Sequence, residues 1–282
     1  MNNTNRIDYD VNHFFDSFTA FYDTSETGNY PNRLNNRYIA LIHSNKGIIR
    51  NSSILDLASH DGRWTFSAIK NGAKKVLGIE GREELVTKSF ENMKKYGIAS
   101  EKYSFVVGDI FEKIKELKPK EFDVIFCFGI FYHIMNHMLL LTEIKRLQPR
   151  YIILDTKISI SNLPIIHIRK ENSLLEGATI PDSSQFGNDI IVGNPSKFAL
   201  EIMLNSLGFD FDYYDWENSG IKNWEFLEEY HSKKRITFNK ALRYGVKVMK
   251  DFKNKQKTMR KDIAEYRSPR RITLVAKNHS LD

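Results

Sequence analysis

The sequence predicts an α/β fold built around a mostly parallel sheet. Five short apolar runs between residues 53 and 155 predict buried strands, and a stretch of helical spacing separates the first two. Two later runs, residues 209–214 and 271–276, predict strands that pair as an antiparallel edge. With 282 residues and 41% apolar side chains, the chain can bury one full core and carry additions to it.

The first predicted unit is a strand, a loop and a helix. Residues 54–57 form the apolar run of a buried strand, with Asp56 at its carboxyl end. The loop of residues 58–62 leads into a helical spacing of apolar side chains that ends near Asn71 and Gly72.

An acidic residue ends the second predicted strand, residues 76–79. This residue is Glu80, 24 positions after Asp56. A loop at the carboxyl end of a parallel strand brings backbone N–H groups and a helix N-terminus beside a ligand, and a carboxylate ending the next strand can accept both ribose hydroxyls. The pattern therefore predicts a site for a nucleotide cofactor, and with it an enzyme.

Two cofactor classes use this layout, dinucleotides and S-adenosylmethionine. The pyrophosphate of a dinucleotide needs a G-x-G-x-x-G loop, whereas this loop has Ala58 and His60 where glycines would sit. Asp61 would also repel a pyrophosphate, but not a sulfonium cation. The loop therefore favours S-adenosylmethionine over NAD.

Three further strands are predicted to end at the same edge of the sheet. The strand predicted at 103–107 is followed by Gly108-Asp109-Ile110, the strand at 122–128 by residues 129–133, and the strand at 151–154 by Asp155. An aspartate in the place of Asp109 can bond the adenine amine. The carboxyl ends of these strands should face the ligand cleft.

From about residue 50 to residue 282 the chain resembles a class I S-adenosylmethionine-dependent methyltransferase. The resemblance implies a Rossmann-like, seven-stranded, mostly parallel sheet with an antiparallel edge strand. It implies that Asp56 and Gly62 surround the methionine portion, that Glu80 binds the ribose, and that Asp109 and Ile110 contact the adenine. The residues expected at the cofactor are Asp56, Ala58, Ser59, His60, Gly62, Trp64, Glu80, Gly81, Arg82, Gly108, Asp109, Ile110, Phe128 and Gly129.

Three stretches indicate a branch of that superfamily. SHDGRW, GIEGR and FCFGIFYHI resemble a branch that includes small-molecule methyltransferases and, more distantly, tRNA wobble-uridine modifying enzymes. Ala58 and His60 depart from the family's glycine-rich first motif, which affects the contacts at the methionine end rather than the fold.

The candidate catalytic residues are Tyr132, His133, His137 and Asp155. His133 is the candidate base, with a cofactor hydrogen bond or simple packing as alternatives. His137 could share a helical face with His133, but no third ligand has a diagnostic spacing, so no metal is expected and His137 is assigned to the helix start or the acceptor site. Asp155 could orient His133, bind an acceptor amine, or have no catalytic duty.

Segments flanking the strands are candidates for acceptor binding. Residues 1–50 contain an aromatic stripe, Phe14 to Tyr22, which is interpreted as core packing or as a helical lid. Residues 51–282 form the methyltransferase domain, in which a cap insertion is predicted at 156–194. The candidate substrate-binding residues are Tyr22, Tyr30, Arg33, Arg37, His167 and Arg169.

Charge is concentrated near the end of the chain. Residues 231–282 hold 16 Lys and Arg against 4 Asp and Glu. This range overlaps a basic helical insertion that is predicted at 217–269. This segment could track a phosphate backbone or be a solvated helix face. Cys127 is the only cysteine, which excludes an internal disulfide and suits a cytoplasmic location, and no apolar run approaches the ~20 residues that span a bilayer.

These observations favour a methyltransferase that uses S-adenosylmethionine to methylate an oxygen, nitrogen or sulfur of a small metabolite. The enzyme alternative is an RNA (tRNA) methyltransferase that uses the basic 231–271 segment. A non-catalytic cofactor-binding scaffold is the alternative outside enzymes. No membrane partner is expected, and nucleic acid is not favoured.

Overall fold

The computed structural model describes residues 10–24, 31–174, 189–216 and 271–279. Its strands are β1 Ser53–Leu57, β2 Lys75–Glu80, β3 Tyr103–Val107, β4 Val124–Phe128, β5 Tyr151–Lys157, β6 Ile166–Asn172, β7 Asp189–Pro195, β8 Phe209–Tyr213 and β9 Arg271–Asn278. Its α-helices are α1 Pro31–Tyr38, α2 Lys46–Ile49, α3 Arg63–Lys70, α4 Glu83–Lys95, α5 Ile110–Lys113, α6 His137–Arg146 and α7 Lys197–Ser206. Shorter 3-10 segments lie at Val11–Ser17, Thr19–Tyr22, Ser100–Lys102, Ile114–Glu116 and Phe131–His133, and a π turn lies at Ile39–His43.

Seven of the strands form one sheet in the order β3-β2-β1-β4-β5-β9-β8. The first five are parallel, whereas β8 and β9 pair antiparallel. β9 also runs antiparallel to β5, because Asn278 N donates to Arg150 O while Thr273 Oγ1 donates to Asp155 at the other end. The predicted seven-stranded, mostly parallel sheet with an antiparallel edge is confirmed.

Strand order reverses between β1 and β4, and this reversal positions the site. The crossovers from β1 lead outward to β2 and β3 on one side, while β4 and β5 continue on the other. A crevice forms at the carboxyl ends of the strands on either side of such a reversal, and ligands of open α/β sheets bind there. The residues that follow these two strand ends begin with Ala58 and Gly129.

Both faces of the sheet are covered by apolar packing. In β1, Ile54 packs into one buried cluster, while Leu55 and Leu57 pack into the other. In β4, Phe126 and Cys127 separate in the same way. This two-sided burial explains why the strands appear in the sequence as continuous apolar runs.

The N-terminal aromatic stripe belongs to the first of these clusters. Phe14, Phe15, Phe18 and Phe21 are all buried there, against rings that include Phe66 of α3. The stripe lies on 3-10 segments rather than on one α-helix, because the backbone of His13 is not helical. These four rings are therefore core residues.

The predicted cap contains the second sheet. β6 and β7 pair antiparallel, with Glu171 opposite Ile190 and Arg169 opposite Val192. Ile190 and Val192 are buried, so Arg169 and Glu171 lie on the inner face of this pair. Ile168 and Ile191, on the outer face, are exposed.

Some expectations differ from the structure or fall outside it. β4 begins at Val124 rather than Phe122, and β5 continues through Asp155 to Lys157. Tyr30 and the insertion at 217–269 lie outside the described residues. Of the helices that are described, none is both long and apolar enough to cross a membrane.

Candidate active site

The loop after β1 turns three times through left-handed backbone. The φ angles are 57° at Ala58, 55° at His60 and 77° at Gly62. At the two residues that are not glycine this conformation costs about 1–3 kcal/mol each. Hydrogen bonds within the protein hold this backbone, because Ser59 N donates to Ile79 O, Gly62 N to Ser59 O and His60 N to Glu80 Oε2. Left-handed backbone of this kind favours glycine, but only Gly62 is a glycine here.

Close packing holds this loop against β2. A Cβ added at Gly78 would lie 2.7 Å from Ser59 Oγ and 2.6 Å from the ring of Phe105, so only glycine lets the loop approach. Ser59 is fully buried, and its hydroxyl has no hydrogen-bond partner among the described residues.

Asp56 holds a buried carboxylate near the carboxyl end of β1. Its Oδ2 accepts from Thr65 Oγ1 at 2.8 Å, while its Oδ1 has no partner in the described part of the chain. Burial raises the pKa of Asp56 to about 7. The hydrogen bonds from Thr65 lower this pKa, whereas the negative charges of Glu80 and Asp61 raise it. An orphaned buried acceptor of this kind fits a cationic donor, such as the ammonium of a bound methionine moiety.

We expect cofactor binding to strengthen as the pH rises through about 7, the pKa of Asp56. Below that pH the carboxyl must lose a proton before it can pair with an ammonium, so the affinity should fall by up to about tenfold per pH unit. Calorimetric titration with S-adenosylhomocysteine from about pH 5.5 to pH 7.5 tests this. Asp56→Asn should bind more weakly and without this pH dependence; a flat profile in the unmodified protein would contradict the prediction.

Glu80 is held in place by the loops on either side of it. Its Oε2 accepts from His60 N at 3.0 Å and its Oε1 accepts from Arg82 N at 3.1 Å. Its backbone oxygen accepts from Gly108 N. Each carboxylate oxygen can accept more than one bond, so both oxygens retain capacity for ribose hydroxyls.

Asp109 begins α5 as an N-cap. Its Oδ1 accepts from Phe111 N at 2.7 Å and from Glu112 N at 3.3 Å. Asp109 is exposed and Ile110 is half-buried, at the carboxyl end of β3. This placement leaves the expected adenine contacts of both residues as predictions.

The loop also contains a buried ion pair that sequence reasoning missed. Arg63 Nε and Nη2 lie 2.7 and 2.8 Å from the two oxygens of Asp61, and both side chains are buried. Thr24 also donates to Asp61, which links the N-terminal segment to the loop. Burial alone would raise the pKa of Asp61, but Arg63 and His60 hold it well below its usual range.

This pair corrects one argument made from the sequence. Asp61 does not present an uncompensated charge to a ligand, because Arg63 neutralises it inside the protein. Repulsion between Asp61 and a pyrophosphate is therefore not an argument against a dinucleotide. The absence of a G-x-G-x-x-G loop still speaks against a dinucleotide.

A second ion pair joins two of the predicted site residues. Arg37 Nη2, from α1, lies 2.8 Å from Asp155 Oδ1 on β5, where Asp155 pairs with the last residue of β4. The other oxygen of Asp155 accepts from Thr273. The guanidinium also lies over the ring of Trp64, 5.0 Å from its centroid, and Trp64 meets Phe128 edge to face.

The candidate base has a carboxylate partner on β6. His133 Nδ1 lies 2.7 Å from Glu171 Oε2, and the two side chains are only 14% and 13% exposed. Arg169, a predicted substrate-binding residue, lies 3.4 Å from the other oxygen of Glu171. The rings of Tyr132 and His133 lie against each other at a tilt, with centroids 4.2 Å apart, and Lys157 lies over the Tyr132 ring.

His137 has a different environment from His133. It is buried at the start of α6, and its Nε2 lies within hydrogen-bond distance of Phe131 O and Gly193 O. Burial lowers its pKa below the usual value, so the ring is neutral and Nε2–H donates to these carbonyls. These bonds join the β7 strand to the turn that carries His133. A role for His137 at the acceptor stays a prediction.

The remaining predicted site residues differ in their burial and in their hydrogen-bond partners. The Tyr22 hydroxyl donates to Asp16 at 2.5 Å, and the pKa of Tyr22 is raised by burial and by that carboxylate. Gly129 N donates to Asp155 O, while Gly81 and Arg33 are half-buried and His167 is exposed on β6. Among the described residues, no group of three or more His, Cys, Asp or Glu side chains could hold a metal ion.

A family model described as "Methyltransferase domain" matches residues 48–208, more than half of the chain. The chain belongs to this methyltransferase domain family. The predictions of an enzyme of the class I methyltransferase type, with S-adenosylmethionine as methyl donor, are thereby confirmed at the level of class.

Similar proteins include enzymes that act on RNA. A ribosomal RNA large subunit methyltransferase K/L of Psychrobacter cryohalolentis is 33% identical over 111 residues, which are 39% of this chain and 14% of that protein. A tRNA U34 carboxymethyltransferase of Helicobacter pylori is 30% identical over 92 residues, 32% of this chain and 33% of that protein. The matches thus span a third or less of the length of these relatives.

A solved structure shows the same fold. It is the N-terminal domain of EvdMO1, crystallised in the presence of SAH and D-fucose, with a TM-score of 0.51 and 19% identity. The match covers 64% of this chain and 76% of that one.

Proposed function

We propose that the protein methylates an oxygen, nitrogen or sulfur atom of a small metabolite that binds between the cofactor edge of the main sheet and the β6–β7 pair. The observation that carries this proposal is the contact between His133, which follows β4, and Glu171 on the inner face of β6. It joins a candidate base at the strand ends to the polar face of the cap. The N-terminal segment, through Arg37, forms a second wall.

Methyl transfer requires the protein to align the acceptor with the methyl donor and to accept one proton. When bound, S-adenosylmethionine supplies an electrophilic methyl group on a sulfonium. The acceptor's lone pair forms a bond to the methyl carbon as the carbon–sulfur bond breaks, so the acceptor must be held in line and stripped of water. His133 accepts the proton of an acceptor that arrives protonated, in the role suited to an imidazole at neutral pH.

Asp56 and Glu80 hold the cofactor in this proposal. The buried Oδ1 of Asp56 receives the ammonium, and Glu80 receives the ribose hydroxyls. The loop of residues 58–62 follows Asp56 and is tied to Glu80, because His60 N donates to Glu80 Oε2. The acceptor is then contacted from the cap by Arg169 and His167.

Glu80→Ala should weaken the binding of S-adenosylhomocysteine roughly tenfold to hundredfold, because bonds to a charged group are worth about 1.5–3 kcal/mol. Isothermal titration measures the change. Glu84→Ala, on the exposed side of α4, is the matched control and should bind normally. Unchanged affinity in Glu80→Ala would remove Glu80 from the cofactor site.

Following a labelled methyl group tests the choice of acceptor. The protein is incubated with methyl-labelled S-adenosylmethionine and a host-cell extract, and RNA is then separated from metabolites. Label in the small-molecule pool supports the proposal and provides a mass for identification. Label in RNA overturns the choice of acceptor while keeping the enzyme class, and no transfer at all favours a cofactor-binding scaffold.

RNA is the second candidate acceptor because both curated relatives described above act on RNA. The basic segment that would contact it, residues 231–271, lies almost entirely outside the described residues. RNA binding through that segment should weaken steeply with added salt as counterions are released. A cytoplasmic location also stays a prediction.

A further inference from the structure

The contact between His133 and Glu171 determines which imidazole nitrogen can act as a base. The two residues are 38 positions apart and come from different sheets, yet Nδ1 and Oε2 are 2.7 Å apart. Both side chains are largely buried, so water competes weakly for this bond. An ionised carboxylate only accepts, and the proton of the bond must therefore lie on Nδ1.

We propose that Glu171 is a positioning residue that fixes His133 with its proton on Nδ1, which leaves Nε2 as the basic nitrogen. The inference rests on the proposed function for its consequence, but the geometry on which it stands is independent of the acceptor. Catalysis by an imidazole depends on the tautomer that a neighbouring carboxylate selects. Glu171 itself need not touch the acceptor.

Arg169 contacts the second oxygen of the Glu171 carboxylate and helps to hold that carboxylate in place. This oxygen, Oε1, lies 3.4 Å from Arg169 Nη1 and 3.5 Å from Nη2. Arg169 Nε in turn lies 3.4 Å from Asn194 Oδ1 on β7. A cation on one oxygen leaves the other to accept from His133. Arg169 can thus affect the base through Glu171 in addition to any contact with the acceptor.

The test begins with the tautomer, which can be measured without an acceptor. Long-range proton–nitrogen NMR of the ring-labelled protein at alkaline pH distinguishes Nδ1–H from Nε2–H, and His133→Gln identifies the signal among the eight histidines. The unmodified protein should show His133 with its proton on Nδ1. Glu171→Met, which keeps the volume but removes the strong acceptor, should shift the population toward Nε2–H.

Two further variants separate tautomer selection from a loss of structure. Glu171→Gln keeps an acceptor oxygen and should restore the Nδ1–H form in part. Lys170→Met is the matched control, because Lys170 lies on the outer face of the same strand and pairs with Asp189. It should leave the His133 signal unchanged. A His133 tautomer that is the same in the unmodified protein and in Glu171→Met overturns the inference.

Transfer of labelled methyl gives the functional consequence. Glu171→Met should lower the initial rate at least about 10²-fold, the scale expected when an imidazole base takes the wrong tautomer. Glu171→Gln should recover part of this loss. If the unmodified protein transfers no label, the proposed function fails while the tautomer result still stands. If transfer is normal in Glu171→Met, the inference fails while the proposed function stands.

Discussion

Asp61→Ala should lower the free energy of unfolding by about 3–5 kcal/mol, the loss expected when one partner of a buried ion pair is removed. The variant leaves the guanidinium of Arg63, which is 4% exposed, without the carboxylate that binds it through Nε and Nη2. It also removes the acceptor of the Thr24 hydroxyl. Urea denaturation followed by circular dichroism measures the change.

Two controls show whether the loss comes from the stranded charge. Asp109→Ala removes an exposed helix cap and should cost only about 1 kcal/mol. The double variant Asp61→Ala with Arg63→Met should recover part of the lost stability, since the uncompensated charge is gone. A loss of the same size in the double variant and in Asp61→Ala would show that the charge pair is not the cause.

The same pair gives the unfolding free energy a dependence on acid. The pKa of Asp61 is lower in the folded protein than its ordinary value of 3.8. Its contribution is therefore present above that ordinary value and is lost as the pH falls through the lower, folded-state pKa. Asp61→Ala should lack this part of the acid sensitivity.

His133→Ala should lower turnover roughly 10²–10⁴-fold, the usual contribution of a general base. The affinity for S-adenosylhomocysteine should stay close to that of the unmodified protein, because His133 is held by Glu171 of β6 and the proposed cofactor contacts are made by Asp56 and Glu80. Methyl transfer and isothermal titration together provide the two measurements.

The control for this variant is His13→Ala. His13 pairs with Asp16 on an exposed 3-10 segment, so its removal should change neither measurement. Weaker cofactor binding in His133→Ala would assign His133 to the cofactor, the alternative left open by the sequence. Normal turnover with normal binding would exclude His133 as the base.

The strand ends were the predictable part of the site. Buried parallel strands appear as apolar runs, and the polar residue that stops each run marks the ligand edge, so Asp56 and Glu80 could be located from the sequence. The edge strands β8 and β9 could also be located, because residues 209–214 and 271–276 have the residue pattern of strands.

Glu171 could not be found in the same way, because it acts across 38 residues of chain. Its position on an inner face depends on the register of β6 against β7, and the alternation of Ile166 and Ile168 with polar residues would predict that the opposite face of β6 is buried. The one available signal was the spacing of His167, Arg169 and Glu171, which places three polar side chains on one face of a strand.

The burial of Asp61 and Arg63 was also beyond sequence reasoning. Charged side chains are usually exposed, and the sequence around Asp61 and Arg63 does not show that they are buried. The N-terminal aromatic residues also had two interpretations from the sequence, core packing and a lid. Only the packing of Phe14 and Phe18 against α3 decides between a core and a lid.

The separation of β6 from the main sheet has a consequence for how this enzyme could diversify. In the proposed function, residues at the carboxyl edge of the main sheet hold the cofactor, whereas the residues assigned to the acceptor, His167 and Arg169, lie on β6 beside the base-positioning Glu171. Under that proposal, substitutions at 167 and 169 should change the choice of acceptor while the methyl donor's site is inherited unchanged. A single-residue insertion at the start of β6 would instead disrupt this surface. It would turn the side chains of 167, 169 and 171 to the solvent and place Ile166 and Ile168 on the inner face.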